Sequence, residues 1–389
     1  MLRKIFDFVS SLKLTIILLA AAIVLVFAGT IAQVHLGIHE VQDRYFQSMF
    51  VWWPVGSQGL RLPLFPGGHL LGGVLLVNLI TAHLRRFRWA WRKLGIHLTH
   101  LGLIVMLAGG LFTDLFSTES TMRLAPGETK NYSEDSRWLE LAAIDESDKE
   151  LDQVTAIPEA RLRTGGTIEH SSLPFRIIVR RFYDNCRLQM LDKGGAPAAT
   201  EGIGARVTVT PLNVDTSPDG VNTASAIIEI VPLPSADEAT AAPLGTWLVS
   251  DDLGAPQTFD YAGKPWRIEL RRKRYYNKYS LTLQKFTHER YAGTDIARNY
   301  ASQITLIDPE RSEDRDVLIY MNHPLRYRGE TYYQASFEKN DAATILQTVH
   351  NPTFIAPYVA CVIVGAGLLV QFAFQFGGFS QRRKAALAT

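Results

Sequence analysis

Cysteine is nearly absent from this 389-residue chain, which has only Cys186 and Cys361. No Cys-x-x-Cys pair occurs, which argues against a thiol–disulfide catalyst and against a covalent c-type haem site in this chain. Motifs of common enzyme classes are also missing: there is no His-Glu-x-x-His, no Gly-x-Ser-x-Gly and no phosphate-binding Gly-Lys-Ser/Thr loop. No residue pattern here demands an enzyme.

A large charge excess is missing too, since 40 Lys and Arg face 38 Asp and Glu and give a net charge of +2. We expect no nucleic-acid partner. The basic residues are instead clustered: segment 85–93 holds five Arg and Lys and no acid. Short loops of this kind stay on the cytoplasmic side of a membrane.

Long apolar runs are present, in four segments that each approach the ~20 residues of a membrane-crossing helix. The predicted spans are 14–33, 68–84, 94–112 and 354–376. The second is the least apolar, but the first and third spans both lead outward from the cytoplasm, so a returning span is required between them. The first span is longer than a secretory signal, so we expect it to be retained.

These signals predict a multi-pass protein of the cell inner membrane with both termini cytoplasmic. The predicted order is a three-helix transmembrane unit at 1–116, an extracytoplasmic domain at 117–353, a fourth transmembrane helix at 354–376 and a cytoplasmic tail at 377–389. The lipid bilayer is therefore an expected partner, and the large domain is expected on the periplasmic or outer face. Segment 45–54, rich in aromatic residues, is predicted as an interfacial helix.

The extracytoplasmic segment has the pattern of a mostly-β domain, either a sandwich or barrel-like. Short β-branched or aromatic stretches separated by turn residues predict strands. The predicted strands are 175–182, 205–210, 226–231, 266–270, 280–286, 303–307, 317–321 and 331–336. The fold class is thus a membrane protein with four transmembrane α-helices, three N-terminal and one C-terminal, and a large mostly-β domain.

Three histidines are predicted to cluster toward the cytoplasmic leaflet. His97 and His100, three residues apart, share one face of the third span, and His83 ends the second span at a similar depth. An ionisable ring in a membrane is costly and suggests a metal, haem or proton site. The alternatives are that His83 and His97 are interfacial groups beside the basic loop, and that His100 makes an interhelical hydrogen bond.

Two other groups of residues allow a functional and a structural interpretation. The outward histidines are His35, His39, His69, His323 and His350, which either contact haem or are ordinary surface residues. The basic run 271–274 either binds anionic groups, such as haem propionates or lipid headgroups, or is a solvated strand edge.

The most specific stretch is VLIYMNHPLRYRGETYYQAS at 317–336. With the 3+1 order of spans, the Gly-Thr-Ile-Ala-Gln end of the first span and the Tyr-Ala-Gly-Thr turn at 291–294, it resembles the ResB family. The resemblance implies a system II cytochrome c biogenesis protein that forms a complex with a CcsA-type membrane protein. Together the two would move haem b outward, keep it reduced and attach it to apocytochrome c.

The same resemblance implies that the membrane haem takes one histidine from this chain and one from the partner. His100 is the best match for that axial iron ligand, with His97 as the reserve and His83 as a further candidate. A thioredoxin-like thiol reductant is a further expected partner. The tryptophan pairs lie outside the context of the partner's haem-handling motif, so we expect the ResB subunit alone, without a fused partner.

The expected function is therefore a non-catalytic or co-catalytic subunit of a haem lyase complex, the system II cytochrome c synthase. Two other functions remain open from the sequence. One is a self-contained membrane b-type cytochrome in which His83 pairs with His97 or His100. The other is an assembly scaffold that binds apocytochrome c without contacting haem.

Overall fold

A computed structural model describes residues 2–55, 60–148, 151–192, 194–216, 220–233, 242–254, 256–290, 293, 297–338 and 342–387. The chain divides into two compact units. The helical unit comprises Met1–Thr118, Thr216–Pro218 and His350–Thr389, and the β unit comprises Glu119–Asp215 and Asp219–Val349. The predicted fold class, apolar helices at both ends of the chain and a mostly-β region between them, is confirmed.

Most of the helices lie in the helical unit. They are α1 Leu2–Val9, α2 Leu12–Val41, α3 Gly68–Arg86, α4 Leu94–Phe116, α5 Glu159–Thr164 and α6 Ala356–Ala386, with short helical turns at Gln42–Phe46, Trp91–Lys93, Gly202–Arg206 and Pro309–Arg311. Within the described residues, α5 and the last two turns belong to the β unit.

Three helices in the described part of the chain are long and apolar enough to cross a membrane: Leu12–Phe46, Trp91–Phe116 and Ala356–Gln381. Segment 68–84, the least apolar of the four predicted spans, is helical as expected. It lies within the 19-residue α3 but does not reach the same apolarity. Its crossing of the membrane therefore stays a prediction, and so does the orientation of the chain.

A polar side chain inside α3 ties the first helices together. Asn78 is buried, and its amide donates to the carbonyl oxygens of Val9 and Ser11 at 2.6 and 3.2 Å, where the chain turns from α1 into α2. Its own carbonyl accepts from Thr15 at 2.6 Å. Because the Val9 carbonyl lies at the end of α1, beyond its helical hydrogen bonds, Asn78 supplies a partner there and joins α3 to the break between α1 and α2.

The close contact between α4 and α6 depends on glycines spaced by seven residues. Gly95, Gly102 and Gly109 are all buried in α4 and face α6. A Cβ atom at Gly102 would lie 2.9 Å from the carbonyl oxygen of Ala360, and one at Gly95 would lie 2.6 Å from that of Gly367. Two helices approach this closely only where side chains are missing, as is typical of membrane helix pairs.

The predicted interfacial helix at 45–54 is wrong. The helical turn ends at Phe46, and a β-hairpin follows, with β1 Phe50–Val55 paired to β2 Leu60–Pro66. The residue types explain the difference: 50–53 are β-branched or aromatic, which favours a strand. Pro54 is in addition unfavourable inside a helix. Val51 is buried against α2 and α3, whereas Trp52 and Trp53 are both exposed.

The β unit contains the remaining strands. They are β3 Thr118–Leu124, β4 Thr129–Asp145, β5 Gln153–Pro158, β6 Gly166–Ile168, β7 Phe175–Tyr183, β8 Cys186–Met190, β9 Val207–Pro211, β10 Ser225–Pro232, β11 Thr246–Ser250, β12 Gln257–Tyr261, β13 Lys264–Arg290, β14 Ala297–Asp308, β15 Glu313–Tyr320, β16 Leu325–Tyr327, β17 Glu330–Phe337 and β18 Thr344–His350. The two predicted strands 266–270 and 280–286 form the single long strand β13, and the predicted turn at 291–294 lies outside the described residues except for Gly293.

A ten-stranded sheet runs in the order β15-β14-β13-β4-β3-β18-β17-β16, with β12 added to β13 and β5 added to β4. A four-stranded sheet, β11-β10-β7-β6, packs over one end of it. At that end the core is a sandwich built around the fully buried Phe175, and at the other end the sheet curls around a second core that includes Tyr332. The long strand β13 contributes to both cores, with Trp266, Ile268 and Leu270 in the first and Tyr279, Leu281 and Leu283 in the second. The β unit therefore combines a sandwich at one end with a barrel-like curled sheet at the other.

Candidate functional site

The helical unit brings His83, His97 and His100 into one cluster. The His83 ring centroid lies 5.2 Å from that of His97 and 5.3 Å from that of His100. Phe87 lies 4.7 Å from the His97 ring, and Trp89 is stacked parallel to it at 6.5 Å. The end of α3, the start of α4 and the aromatic residues of the basic loop therefore form one continuous group of rings.

The hydrogen bonds of these rings determine which nitrogen carries the lone pair. Nδ1 of His100 lies 2.8 Å from the carbonyl oxygen of Ile96, one turn back on α4. A carbonyl only accepts, so Nδ1 carries the proton and the lone pair is on Nε2. A neutral imidazole whose other nitrogen donates to a backbone carbonyl is a common form of a metal ligand.

His97 has the opposite arrangement. Its Nε2 donates to the carbonyl oxygen of Arg88 at 3.2 Å, and its Nδ1 is buried without a hydrogen-bond partner among the described residues. An unpartnered buried nitrogen is costly unless something binds it. His97 is held to the basic loop and His100 to its own helix, although their positions in the sequence look equivalent.

A cavity of about 600 Å³ lies against the three rings. Most of its wall is aliphatic, and two basic side chains, Arg86 and Lys93, are part of it. The other lining residues are Leu12, Thr15, Leu19, Leu75, Asn78, Leu79, Ala82, His83, Ile96, His97, His100, Leu103, Met106 and Leu107. An apolar pocket with a few convergent polar groups is typical of a cofactor site.

These residues fit a haem. The donor set offers an Nε2 lone pair on His100 and an unpartnered Nδ1 on His97. The aliphatic wall suits a macrocycle, and the two cations suit its carboxylates. No group of three or more His, Cys, Asp or Glu residues in the described ranges is arranged to hold a bare metal ion.

The outward histidines lie in several different places. His35 and His39 are exposed on α2, and His350 is the last residue of β18. His323 lies between β15 and β16, stacked on Tyr320 at 4.1 Å. His69, in the first turn of α3, is bonded to Asp114 in the last turn of α4. Sequence reasoning missed Asp114, although a carboxylate in an otherwise apolar helix is a signal that could have found it.

Two of the four residues in the basic run 271–274, Arg271 and Arg274, are neutralised by carboxylates, whereas Arg272 and Lys273 are exposed. Arg271 is buried, and its guanidinium bonds to Glu140 at 3.0 Å and to Glu269 at 2.6 Å. Arg274 pairs with Glu134 at 3.1 Å and lies over the Tyr132 ring. Because carboxylates on neighbouring strands balance these two charges, they are structural ion pairs of the β unit.

The signature at 317–336 also supports the fold. Arg328 binds the buried carboxylate of Asp308, with Nε 2.7 Å from Oδ2, and the Tyr327 hydroxyl lies 2.6 Å from the same oxygen. Burial and the adjacent carboxylates of Asp308 and Glu313 raise the pKa of Tyr327 to about 12. Gly329 has a φ of +87°, which makes the tight turn into β17 possible.

Tyr332 of the signature is fully buried, and its hydroxyl contacts Tyr279 at 2.7 Å and Asn277 at 3.1 Å. Burial raises the pKa of Tyr332 well above its ordinary value, so the hydroxyl stays protonated. We expect Tyr332→Phe to lower the free energy of unfolding by about 1–3 kcal/mol, because the buried Tyr279 and the partly buried Asn277 each lose a hydrogen bond. Chemical unfolding followed by near-UV circular dichroism measures it.

The adjacent Tyr333, 38% exposed, provides the control. Tyr333→Phe should change the unfolding free energy by less than about 0.5 kcal/mol. Equal effects of the two substitutions would show that the buried hydroxyl network does not stabilise this part of the fold.

Comparison with known proteins confirms the resemblance given by the signature. Residues 257–349 match the ResB-like family. Protein NrfI of Wolinella succinogenes is 31% identical over 91 residues, which is 23% of this chain and 10% of that protein. The match thus spans about a tenth of the relative's length, and the family match lies within the β unit.

Proposed function

We propose that this chain, ResB-like over residues 257–349, is a membrane subunit of the cytochrome c biogenesis machinery that handles haem. The family match supports the coarser part, a role in cytochrome c biogenesis. Haem handling is the finer part, and the histidine cluster supports it. When bound, haem b would supply an iron that takes imidazole ligands, and His100 would be one of them.

One observation carries the proposal: Nδ1 of His100 donates to the Ile96 carbonyl, which leaves the lone pair on Nε2, and the ring lines an apolar cavity of about 600 Å³. The Ile96 carbonyl fixes the tautomer, so no proton has to leave before the ring binds iron. Arg86 and Lys93 in the cavity wall would pair with the carboxylates of the macrocycle.

A haem bound jointly with a second protein would need only one histidine from this chain, which fits the fixed tautomer of His100. We infer that a CcsA-type membrane protein supplies the other axial histidine, and that apocytochrome c and a thioredoxin-like reductant meet the complex on the outer side of the inner membrane. In this arrangement the chain binds and positions haem and leaves attachment to the complex.

The test is the haem content of His100→Ala in the complex purified with its CcsA-type partner. We expect the haem content, measured by the pyridine haemochrome assay, to fall at least about tenfold. Loss of a group that supports a metal ligand typically lowers metal affinity about 10–100-fold, and loss of the ligand itself should lower it more. His100→Gly should regain haem when imidazole is added, since the small ring fills the space of the lost side chain. The exposed His39→Ala is the control.

Unchanged haem in His100→Ala would contradict the proposal and favour a haem-independent scaffold that binds apocytochrome c. A self-contained b-type cytochrome is a second candidate, favoured by the 5.3 Å between the His83 and His100 rings. A stoichiometric, low-spin, bis-histidine spectrum of the chain purified without any partner would support that candidate instead.

A further inference from the structure

The helical unit contains a second cavity, of about 490 Å³, between the start of α3 and the end of α4. Its polar lining residues are Gln42, Gln47, His69 and Asp114, and the rest of its described wall is apolar or glycine. His69 bonds to Asp114, and Gln47 donates to the same carboxylate at 2.7 Å. An ionisable group in an otherwise apolar helix such as α4 is costly and indicates a function.

The charges of this cavity limit what can bind there. Its described lining includes one carboxylate, that of Asp114, and no Arg or Lys. A ligand with carboxylates or phosphates would therefore lack a cation and meet a like charge. Both oxygens of Asp114 already accept hydrogen bonds, Oδ1 from Gln47 and Oδ2 from His69, so the carboxylate is committed to these two partners. The lining favours a neutral ligand.

The bond to Asp114 sets the hydrogen-bonding role of His69. The carboxylate accepts from Nε2, so in the neutral ring the lone pair is on Nδ1. A carboxylate on one ring nitrogen also makes the other nitrogen more basic and thus a better acceptor. The group that His69 recognises is therefore a hydroxyl, which donates to Nδ1.

The helix faces beside this pair leave room for a flat ring. Gly72 and Gly73 follow His69 by three and four residues, and Gly110 precedes Asp114 by four, so these glycines share the faces of the pair. An added Cβ atom at any of the three would meet nothing within 4 Å. The aliphatic part of the wall continues from there along both helices and suits a hydrocarbon chain.

We propose that this cavity binds a lipid-soluble quinol, with one ring hydroxyl donating to Nδ1 of His69 and the apolar tail lying along α3 and α4. A quinol is neutral and flat, carries hydroxyls on its ring and has a long apolar chain, which are the properties that the cavity selects. The oxidised quinone has carbonyl oxygens that only accept, so a lone pair on Nδ1 favours the reduced form. Met106 and Leu107 line both this cavity and the His100 cavity, so the two adjoin. The inference goes beyond the proposed function, because binding of a quinol does not require haem.

The test uses the full-length chain in detergent and the quinol analogue heptyl-hydroxyquinoline N-oxide, whose fluorescence is quenched when it binds to a protein. We expect saturable binding that decylubiquinol displaces more strongly than decylubiquinone does. His69→Ala should weaken binding of the analogue at least about tenfold, because it removes the hydrogen-bond acceptor. Asp114→Asn should weaken it as well, because an amide no longer fixes the tautomer of His69.

Two glycine variants separate the groove from general effects on the helices. Gly73→Leu fills the groove without a clash and should abolish binding of the analogue. Gly365→Leu puts the same side chain on α6, at an equally open position that does not line the cavity, and should leave binding unchanged. Both variants should unfold at the temperature of the unaltered chain, and the exposed His39→Ala should bind as the unaltered chain does.

Several results would overturn the quinol site. One is equal affinity of His69→Ala and the unaltered chain for the analogue, and another is undiminished binding by Gly73→Leu. Equal displacement by decylubiquinol and decylubiquinone would show that a ring hydroxyl is not what His69 recognises. Displacement by a lysophospholipid as effective as that by decylubiquinol would show a groove for any lipid chain.

Discussion

Gly102→Leu should separate α4 from α6 and thereby destabilise the whole helical unit. The first added carbon would lie 2.6 Å from a methyl group of Val364 and 2.9 Å from the Ala360 carbonyl oxygen, and backbone cannot move aside cheaply. We expect a loss beyond the about 1–3 kcal/mol of ordinary overpacking. Because α4 carries His97 and His100, haem content should fall with stability. Thermal unfolding in detergent and the pyridine haemochrome assay measure the two effects.

Gly110→Leu is the matched control on the same helix. A Cβ atom there meets nothing within 4 Å, so the unfolding temperature should stay near that of the unaltered chain. If Gly102→Leu and Gly110→Leu unfold at the same temperature, the close α4–α6 contact does not stabilise the unit as argued.

Arg271→Met should strongly destabilise the β unit. It leaves the buried carboxylate of Glu140 and the partly buried carboxylate of Glu269 without their cation. Removing one partner of a buried ion pair typically costs about 3–5 kcal/mol, because an uncompensated charge remains in the interior. Chemical unfolding followed by near-UV circular dichroism of the full chain measures this cost.

Two further variants separate the buried charge from the loss of packing. Arg271→Met combined with Glu140→Gln should recover part of the stability, since a neutral amide replaces the stranded carboxylate. Lys273→Met changes the same charge at an exposed position two residues away and should cost less than about 0.5 kcal/mol. A double variant no more stable than Arg271→Met would contradict the electrostatic explanation.

Much of the fold could be predicted because its signals are local. The apolar runs at 14–33 and 94–112 lie within α2 and α4, and the alternating segment 280–286 lies within β13. The strand β4 was missed because half of its residues are polar or charged, including Ser133 and Glu140, and their burial depends on partners from distant strands. The strand at 50–55 was missed because its tryptophans suggested a membrane interface, although β-branched and aromatic residues also favour a strand.

The candidate site could be predicted only in part. Spacing placed His97 and His100 on one helix face, and antiparallel spans brought His83 to the same depth. Spacing could not distinguish the two rings of α4. They differ in their hydrogen-bond partners: His97 bonds to the Arg88 carbonyl, and His100 bonds to the Ile96 carbonyl. It also could not show that Asp114 meets His69, because that contact joins the opposite ends of two helices.

From the sequence alone, the apolar helices and several strands of the β unit could be predicted, and 317–336 carried the ResB resemblance. These properties follow from hydrophobic runs, alternation and turn residues, which act over a few neighbouring positions. Only the folded structure shows that Arg271 is in a buried ion pair, that Tyr332 belongs to a core, and that a cavity lies against His100. Each of these depends on groups far away in the chain, which packing brings into contact.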